Sequence, residues 1–264
     1  MNNRGAKHNQ WWDFHHDWQE NQGEVIEEIA LTIYVNGQEF VSIMGTPLNQ
    51  EWLAVGFLMN ERIISSLDDI VDVRITKDGC CIDVWLAYTI EKPSKMILTS
   101  GCGGGMIFDD PRVGVEPFGI DISTTPDVIL KAFNRLQTKE SLYARARGVH
   151  AAGLLDLNNG ELIIVAEDIG RHNTIDKLRG ACLLEGIPTI NRALLTTGRI
   201  SSEMLRKGAL MGCQVIASRT SPTSFALELA KTWNITLIGY ARHGKIRVYC
   251  FPERLGFGNE TDIG

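Results

Sequence analysis

In the second half of this chain, apolar residues switch from continuous runs to helical spacing and back in four successive units. Residues 162–166, Leu-Ile-Ile-Val-Ala, form a continuous apolar and largely β-branched run, the pattern of a strand buried on both faces of a parallel sheet. From Thr174 the apolar residues Ile175, Leu178, Ala181, Cys182 and Leu184 recur at helical spacing, and Gly186 with Pro188 stops the helix. Between them lies a polar turn, Glu167-Asp168-Ile169-Gly170-Arg171-His172-Asn173. It falls at the carboxyl end of the strand, where open α/β sheets bind ligands.

The unit then recurs. Residues 193–196 predict a strand, Thr197-Gly198-Arg199 its turn, and residues 201–211 a helix with Ser201 as N-cap, Ser202 following and Glu203 in the first turn. Residues 214–218 open a third unit with the turn Arg219-Thr220-Ser221-Pro222-Thr223-Ser224, and its helix carries Phe225, Ala226, Leu229, Ala230 and Trp233 on one face. A fourth strand, 235–240, ends at Tyr240 and leads through Ala241-Arg242-His243-Gly244-Lys245 into a closing strand, 246–250. Arg171, Arg199, Arg219 and Arg242 thus each follow a strand end. In parallel neighbours those ends share one edge, so the four guanidiniums are expected to converge. Arginine forks and free N–H groups at helix starts suit phosphate, and an anionic, nucleotide-like ligand is the expectation. Any one such arginine is more often an ordinary solvated charge; four in register point to a site.

The first half reads differently. Residues 1–24 are polar with scattered aromatics and are expected to be a frayed tail; a zinc site from His8, His15 and His16 lacks a fourth ligand. A β-rich region is expected over 25–93. In it, residues 29–35 and 39–44 alternate around Asn36-Gly37 as a hairpin, 49–64 form an amphipathic helix, and 70–76 with 80–86 form a second hairpin around Asp78-Gly79. The remainder, 94–264, is expected to be an α/β domain. Early in it lies Ser100-Gly101-Cys102-Gly103-Gly104-Gly105-Met106, whose glycines leave no neighbouring side chain to cover the sulfur. Such a cysteine can act as a nucleophile if its pKa is lowered; the other reading is a plain linker with an incidental thiol. Beyond it, residues 126–136 predict a helix capped by Thr125 with Pro126 at its first position, and 148–157 and 161–166 predict strands joined across Asn158-Asn159-Gly160.

Composition narrows the class. With 264 residues, 44% hydrophobic, the chain can bury a full core, and a net charge of −6 argues against a general nucleic-acid binder. No signal-peptide core and no membrane span is legible, so a cytoplasmic protein with no membrane partner is expected. The six cysteines, 80, 81, 102, 182, 213 and 250, form no disulfide framework, and Cys182 and Cys213 read as core. There is no C-x-x-C, H-x-E or Pro-Cys pair, no P-loop, no G-x-G-x-x-G after a strand and no G-x-S-x-G. No intrinsic metal is expected.

Several segments together resemble one family. They are Val149-His150-Ala151-Ala152-Gly153, Glu167 to Asn173 with Asp176-Lys177 following, Thr196-Thr197-Gly198-Arg199 with Ser201-Ser202-Glu203, and Ser218-Arg219-Thr220-Ser221-Pro222-Thr223. In this order they are similar to the formate dehydrogenase accessory sulfurtransferases, the FdhD/NarQ family. The resemblance implies a sulfur carrier that accepts persulfide sulfur from a cysteine desulfurase on a loop cysteine. It would pass that sulfur to the molybdenum or tungsten bis-(pterin guanine dinucleotide) cofactor destined for the formate dehydrogenase catalytic subunit. It also implies a three-layer α/β/α fold like that of cytidine deaminases without their zinc, a homodimer, and guanine nucleotides as partial mimics of the cofactor. Cys102 matches the first cysteine of the family's C-G-x-C-G loop, and Tyr240 to Lys245 match a basic stretch associated with the cofactor. On this reading the cofactor contacts come from Arg171, His172, Thr197, Gly198, Arg199, Ser201, Ser202, Arg219, Thr220, Ser221, Tyr240, Ala241, Arg242, His243, Gly244 and Lys245.

One departure stands out. Where the family has its second loop cysteine this chain has Gly105, followed by Met106 in place of glycine, so no two-thiol relay within the loop is available. Two other readings remain open: a non-catalytic chaperone for the cofactor, and a nucleotide hydrolase or deaminase using His150, Asp168 or His172 as acid or base. Asp168 and His172 are expected instead to order the turn and orient arginines.

Overall fold

Asn36-Gly37 and Asp78-Gly79 set the first sheet, because both turns need positive φ: Asn36 lies at 51°, Gly37 at 76° and Gly79 at 74°. The computed structural model describes residues 5–91, 97–98, 106–107, 112, 114–119 and 122–258. Strands β1 (Ala6–Phe14) and β2 (Trp18–Ile26) pair with each other, and β3 (Ile29–Val35) and β4 (Gln38–Gly45) follow, then helix α1 (Gln50–Asn60), β5 (Ile70–Ile75) and β6 (Cys81–Leu86). The order of this sheet is β4-β3-β6-β5, with β3 antiparallel to β4 and parallel to β6.

Two short strands, β7 (Ile97–Leu98) and β8 (Met106–Ile107), pair antiparallel. The expected sulfur-bearing loop with Cys102 and Gly105 falls between them and lies outside the described residues. The chain continues through α2 (Pro126–Arg135), α3 (Leu142–Ala146), β9 (His150–Asp156), β10 (Leu162–Asp168), α4 (Arg171–Leu184), β11 (Arg192–Thr196), α5 (Ser202–Leu210), β12 (Val215–Ser218), α6 (Ser224–Thr232), β13 (Thr236–Arg242) and β14 (Lys245–Cys250). Thr125, Ser201 and Thr223 each cap their helix by accepting the backbone N–H of Val128, Met204 and Ala226.

The fold is mixed α/β. The large sheet has the order β10-β9-β11-β12-β13-β14. On one face Ile175, Leu178 and Cys182 of α4, Met204 and Leu205 of α5 and Ala226 and Leu229 of α6 pack with Leu154, Leu194 and Ile216. On the other, Ile129, Ala132 and Phe133 of α2 pack with Ala151, Leu195, Val215 and Ile238. Alternate residues of one strand thus feed two cores, as the period of two requires.

Four expectations are corrected. The frayed tail is instead the β1–β2 hairpin, in register from Ala6↔Ile26 to Phe14↔Trp18; its strands satisfy each other's backbone and need no core to do so. Residues 162–166 do not form a strand of a parallel sheet: β10 is an edge strand, antiparallel to β9, and most of the run is only half-buried. The long polar turn after β10 shrinks to Ile169-Gly170, because Glu167 and Asp168 complete the strand and α4 already begins at Arg171. Helix α1 is not amphipathic but buried nearly all round, with Leu53, Val55, Phe57 and Leu58 inside, since the small sheet covers one side and α4 the other.

Candidate functional site

Strand direction places the four turns at one edge. Strands β11, β12 and β13 are parallel, and β9 is antiparallel to both β10 and β11. Strand β10 therefore runs with β11, two positions away; Arg171, Arg199 and Arg219 follow strand ends and Arg242 ends its own strand, all on the same side.

Lateral hydrogen bonds stitch these turns together. The N–H of Arg219 donates to the Thr196 carbonyl at 3.1 Å, and that of Tyr240 to the Thr220 carbonyl at 3.0 Å. The Ser218 hydroxyl donates to the Gly198 carbonyl at 2.6 Å and accepts from the Thr220 N–H at 2.9 Å. The N–H of Ile200 reaches the Ser221 carbonyl, and that of Thr223 returns to Ile200. Thr197 closes the row toward β9: its hydroxyl accepts from the Ala151 N–H at 2.9 Å and meets His150 Nδ1 at 3.3 Å. These hydroxyl residues are the polar spine of the edge.

The arginines divide by environment. The aliphatic stem of Arg171 lies across Gly198, where an added Cβ would stand 2.7 Å from the Arg171 Cβ. Gly198 is thus required by the close approach of Arg171. Arg199 is exposed beside the start of α5, with Ser201 and Ser202 half-buried behind it. Arg219 is half-buried and committed: its guanidinium donates to the Phe133 carbonyl at 2.8 Å and to Gln137, and burial lowers its pKa. Arg242 is exposed, 5.8 Å from the Tyr240 ring, with Arg247 on that ring at 4.6 Å. Tyr240 has φ 53°, and the two-residue turn His243-Gly244 has φ 53° and 71°, a type I′ hairpin that leaves Arg242, His243, Gly244 and Lys245 exposed.

Arg219, Ala241, Arg242, His243 and Gly244 line a cleft of about 510 Å³ with Leu130, Phe133, Asn134 and Tyr143. The residues from α2 and α3 were not among the sequence candidates. Their only trace in the sequence is the apolar face of a capped helix, which does not distinguish a wall from a core. The cleft can take an anion on Arg242, while the Tyr143 ring on its wall already carries the Arg147 guanidinium 4.8 Å from its centre.

His172 points elsewhere. Its Nδ1 stands 3.0 Å from Glu203 Oε2, both side chains being buried, while its Nε2 is buried and meets no hydrogen-bond partner among the described residues. Glu203 in turn contacts Lys207, and Lys207 contacts Asp176 at 2.8 Å. Asn60 of α1 donates to Asp176 at 2.6 Å. Burial opposes the Lys207 charge, but Asp176, Glu203 and Glu61 outweigh it and hold its pKa above the ordinary lysine value. A second buried pair, Lys177–Asp168 at 2.6 Å, sits beside Asn173 and the N–H of Thr46. Asp168 and His172 therefore organise the start of α4. His150 is half-buried, and burial followed by the Arg171 charge lowers its pKa, so it is neutral near pH 7.

Among the described residues no group of three or more His, Cys, Asp or Glu stands where it would hold a metal ion, and no helix is long and apolar enough to cross a membrane. Of the five described cysteines, Cys182, Cys213 and Cys250 are buried. Burial raises all three thiols, that of Cys182 to about 12. Cys80 is also raised, by desolvation and then by Asp78.

The family model described as the FdhD/NarQ family matches residues 26–256. The chain is 37% identical over 237 residues to the sulfur carrier protein FdhD of Staphylococcus haemolyticus, covering 87% of this chain and 89% of that protein. It is 34% identical over 252 residues to the protein of the same name from Bacillus subtilis, covering 90% and 95%. A crystal structure described as that of a formate dehydrogenase accessory protein from Desulfotalea psychrophila superposes with a TM-score of 0.81 at 30% identity, covering 95% of this chain and 99% of that one. The chain belongs to the FdhD/NarQ family.

Proposed function

We propose that this protein is a sulfur carrier serving formate dehydrogenase. Cys102 accepts sulfur from the persulfide of a cysteine desulfurase and passes it to the molybdenum or tungsten bis-(pterin guanine dinucleotide) acceptor held at the arginine edge. The observation that carries the reading is the nearly full-length likeness to proteins named as sulfur carriers. Thiol chemistry adds to it. Loading needs a thiolate, and burial holds Cys182, Cys213 and Cys250 in the thiol form.

In the loading step the Cys102 thiolate attacks the outer sulfur of the donor persulfide. A new S–S bond forms on Cys102, the donor S–S bond breaks, and the donor cysteine leaves as its thiolate, so the exchange is redox-neutral. Gly105 offers no second thiol to displace the carried sulfur. The edge fits the acceptor: exposed Arg199, Arg242 and Lys245 suit its phosphates, and the Ser201-Ser202 helix start supplies further donors. The helices on both faces of the large sheet fit the layering of cytidine deaminases. The chain acts in the cytoplasm as a homodimer, with formate dehydrogenase receiving the finished cofactor.

Intact mass after incubation with a cysteine desulfurase and cysteine tests the reading. One added sulfur, removed by reductant and absent from Cys102→Ser, is the expected result. Loading of Cys102→Ser to the same extent would place the carried sulfur on another cysteine and sink the assignment.

A further inference from the structure

The β1–β2 hairpin is an arm whose outer strands are exposed and which the other described residues leave uncovered. It lies almost wholly before the family match, which begins at residue 26. At about 3.3 Å per residue its strands reach roughly 30 Å. Among the described residues only the root is held: Ala6 is buried with Leu142 and Val149, and Glu24 takes both N–H bonds of the Arg145 fork at 2.7 and 2.8 Å. Tyr143 packs on the same root and also lines the arginine cleft, so the arm springs from beside the candidate site.

The pairing register decides what the arm displays. Trp12↔Glu20 and Phe14↔Trp18 are consecutive pairs on one face. Trp12, Phe14 and Trp18 are 64%, 65% and 67% exposed, and the Phe14 and Trp18 rings stand 5.1 Å apart. Trp11, on the opposite face, instead closes over Gly23, where a Cβ would lie 2.9 Å from its ring. An isolated two-stranded hairpin is marginal in water, and three neighbouring bare aromatics at its tip mark a contact surface.

Charge selects the occupant. Over residues 6–26 the arm carries Lys7 against Asp13, Asp17, Glu20 and Glu24, a net of 1 − 4 = −3. The hairpin of β13 and β14, residues 236–250, carries Arg242, Lys245 and Arg247 and no acid, a net of +3. All three cations are exposed, and two already lie over an aromatic ring, that of Tyr240. Rings and carboxylates on one hairpin complement guanidiniums on the other. Area agrees as well. Covering three such rings and an equal receptor surface, twice over in a symmetric pair, removes on the order of 1,800 Å², within the range of stable interfaces.

We propose that the β1–β2 arm docks on the β13–β14 hairpin of a second copy of this chain, reciprocally, through Trp12, Phe14 and Trp18 against Arg247, which lies outside the cleft that Arg242 lines. The inference rests on the two-copy assembly proposed above and adds what joins the copies. It places an acidic, aromatic arm from one copy beside the basic edge of the other, leaving Arg242 to the cleft.

Sedimentation of the full chain at micromolar concentration tests it, with circular dichroism confirming that each variant is folded. The wild type is expected to be dimeric. The triple variant Trp12→Ser/Phe14→Ser/Trp18→Ser should raise the dissociation constant at least about a hundredfold, the loss of one or more hot-spot aromatics. Arg247→Glu should do the same. Mixing the two variants restores one good contact and should yield heterodimer. A monomeric wild type overturns the two-copy assembly and this proposal together. A dimer that survives the triple variant, an edge variant that stays dimeric, or a mixture that stays monomeric overturns the arm contact while leaving the assembly standing.

Discussion

A methyl group on Gly56 of α1 would stand 1.7 Å from the carbonyl oxygen of Asp176 on α4, and one on Gly180 would stand 2.0 Å from that of Trp52. The two helices therefore touch backbone to backbone, and no side-chain rotation relieves the clash. Gly56→Ala is expected to cost more than about 4 kcal/mol, the range reserved for structural disruption, despite alanine's better helix propensity. Denaturant unfolding measures it; a midpoint equal to wild type would mean that the crossing is wrong.

Lys207 is a second point of vulnerability. Its ammonium contacts Asp176 and Glu203 in a fully buried setting, so Lys207→Met leaves two acids without their cation. A loss of about 3 to 5 kcal/mol is expected. Adding Asp176→Asn should recover part of it, because the amide still meets Asn60 without a charge; no recovery at all would argue against the pairing.

Arg242 and Arg219 should separate in their effects. Removing exposed Arg242 should weaken GDP binding by about 1.5 to 3 kcal/mol, the range for a hydrogen bond to a charged group, with thermal stability unchanged. Arg219→Ala should lower stability as well, since its guanidinium holds the Phe133 carbonyl and Gln137. Calorimetry and thermal melts on the same samples distinguish the two; equal stability losses would show that the division is mistaken.

His150 predicts a pH dependence. Its folded pKa lies below the unfolded value of about 6.5 because burial and Arg171 disfavour the cation. The unfolded chain then binds the proton more readily, so stability is full above about pH 6.5 and falls as pH drops toward the folded pKa. His150→Gln should flatten this slope below about pH 6.5; an unchanged slope would assign it to other groups.

Much of this was legible in the sequence because the signals were local. Asn36-Gly37, the caps at Thr125 and Ser201, and the strand–turn–helix units report on neighbours a few residues away. What failed was long-range. Nothing near residues 162–166 tells that β9 intervenes and leaves β10 at the edge. The arm was missed because aromatics fall on both of its faces and its turn, at His15-His16-Asp17, has no glycine. The arginine register was readable, but not that Arg219 is tied to α2, since Phe133 offers only its backbone carbonyl.

The hydrogen bonds that run from Thr197 through Ser218 and Thr220 to Tyr240 make the turns behind the arginines a single plate. A plate does not mould itself to its guest. A ligand whose phosphates match the spacing of the turns loses little to ordering their backbone, and a mismatch is taken up by the exposed side chains of Arg199, Arg242 and Lys245. On the function proposed above, the turns set the register of an acceptor's phosphates and the long side chains supply the reach.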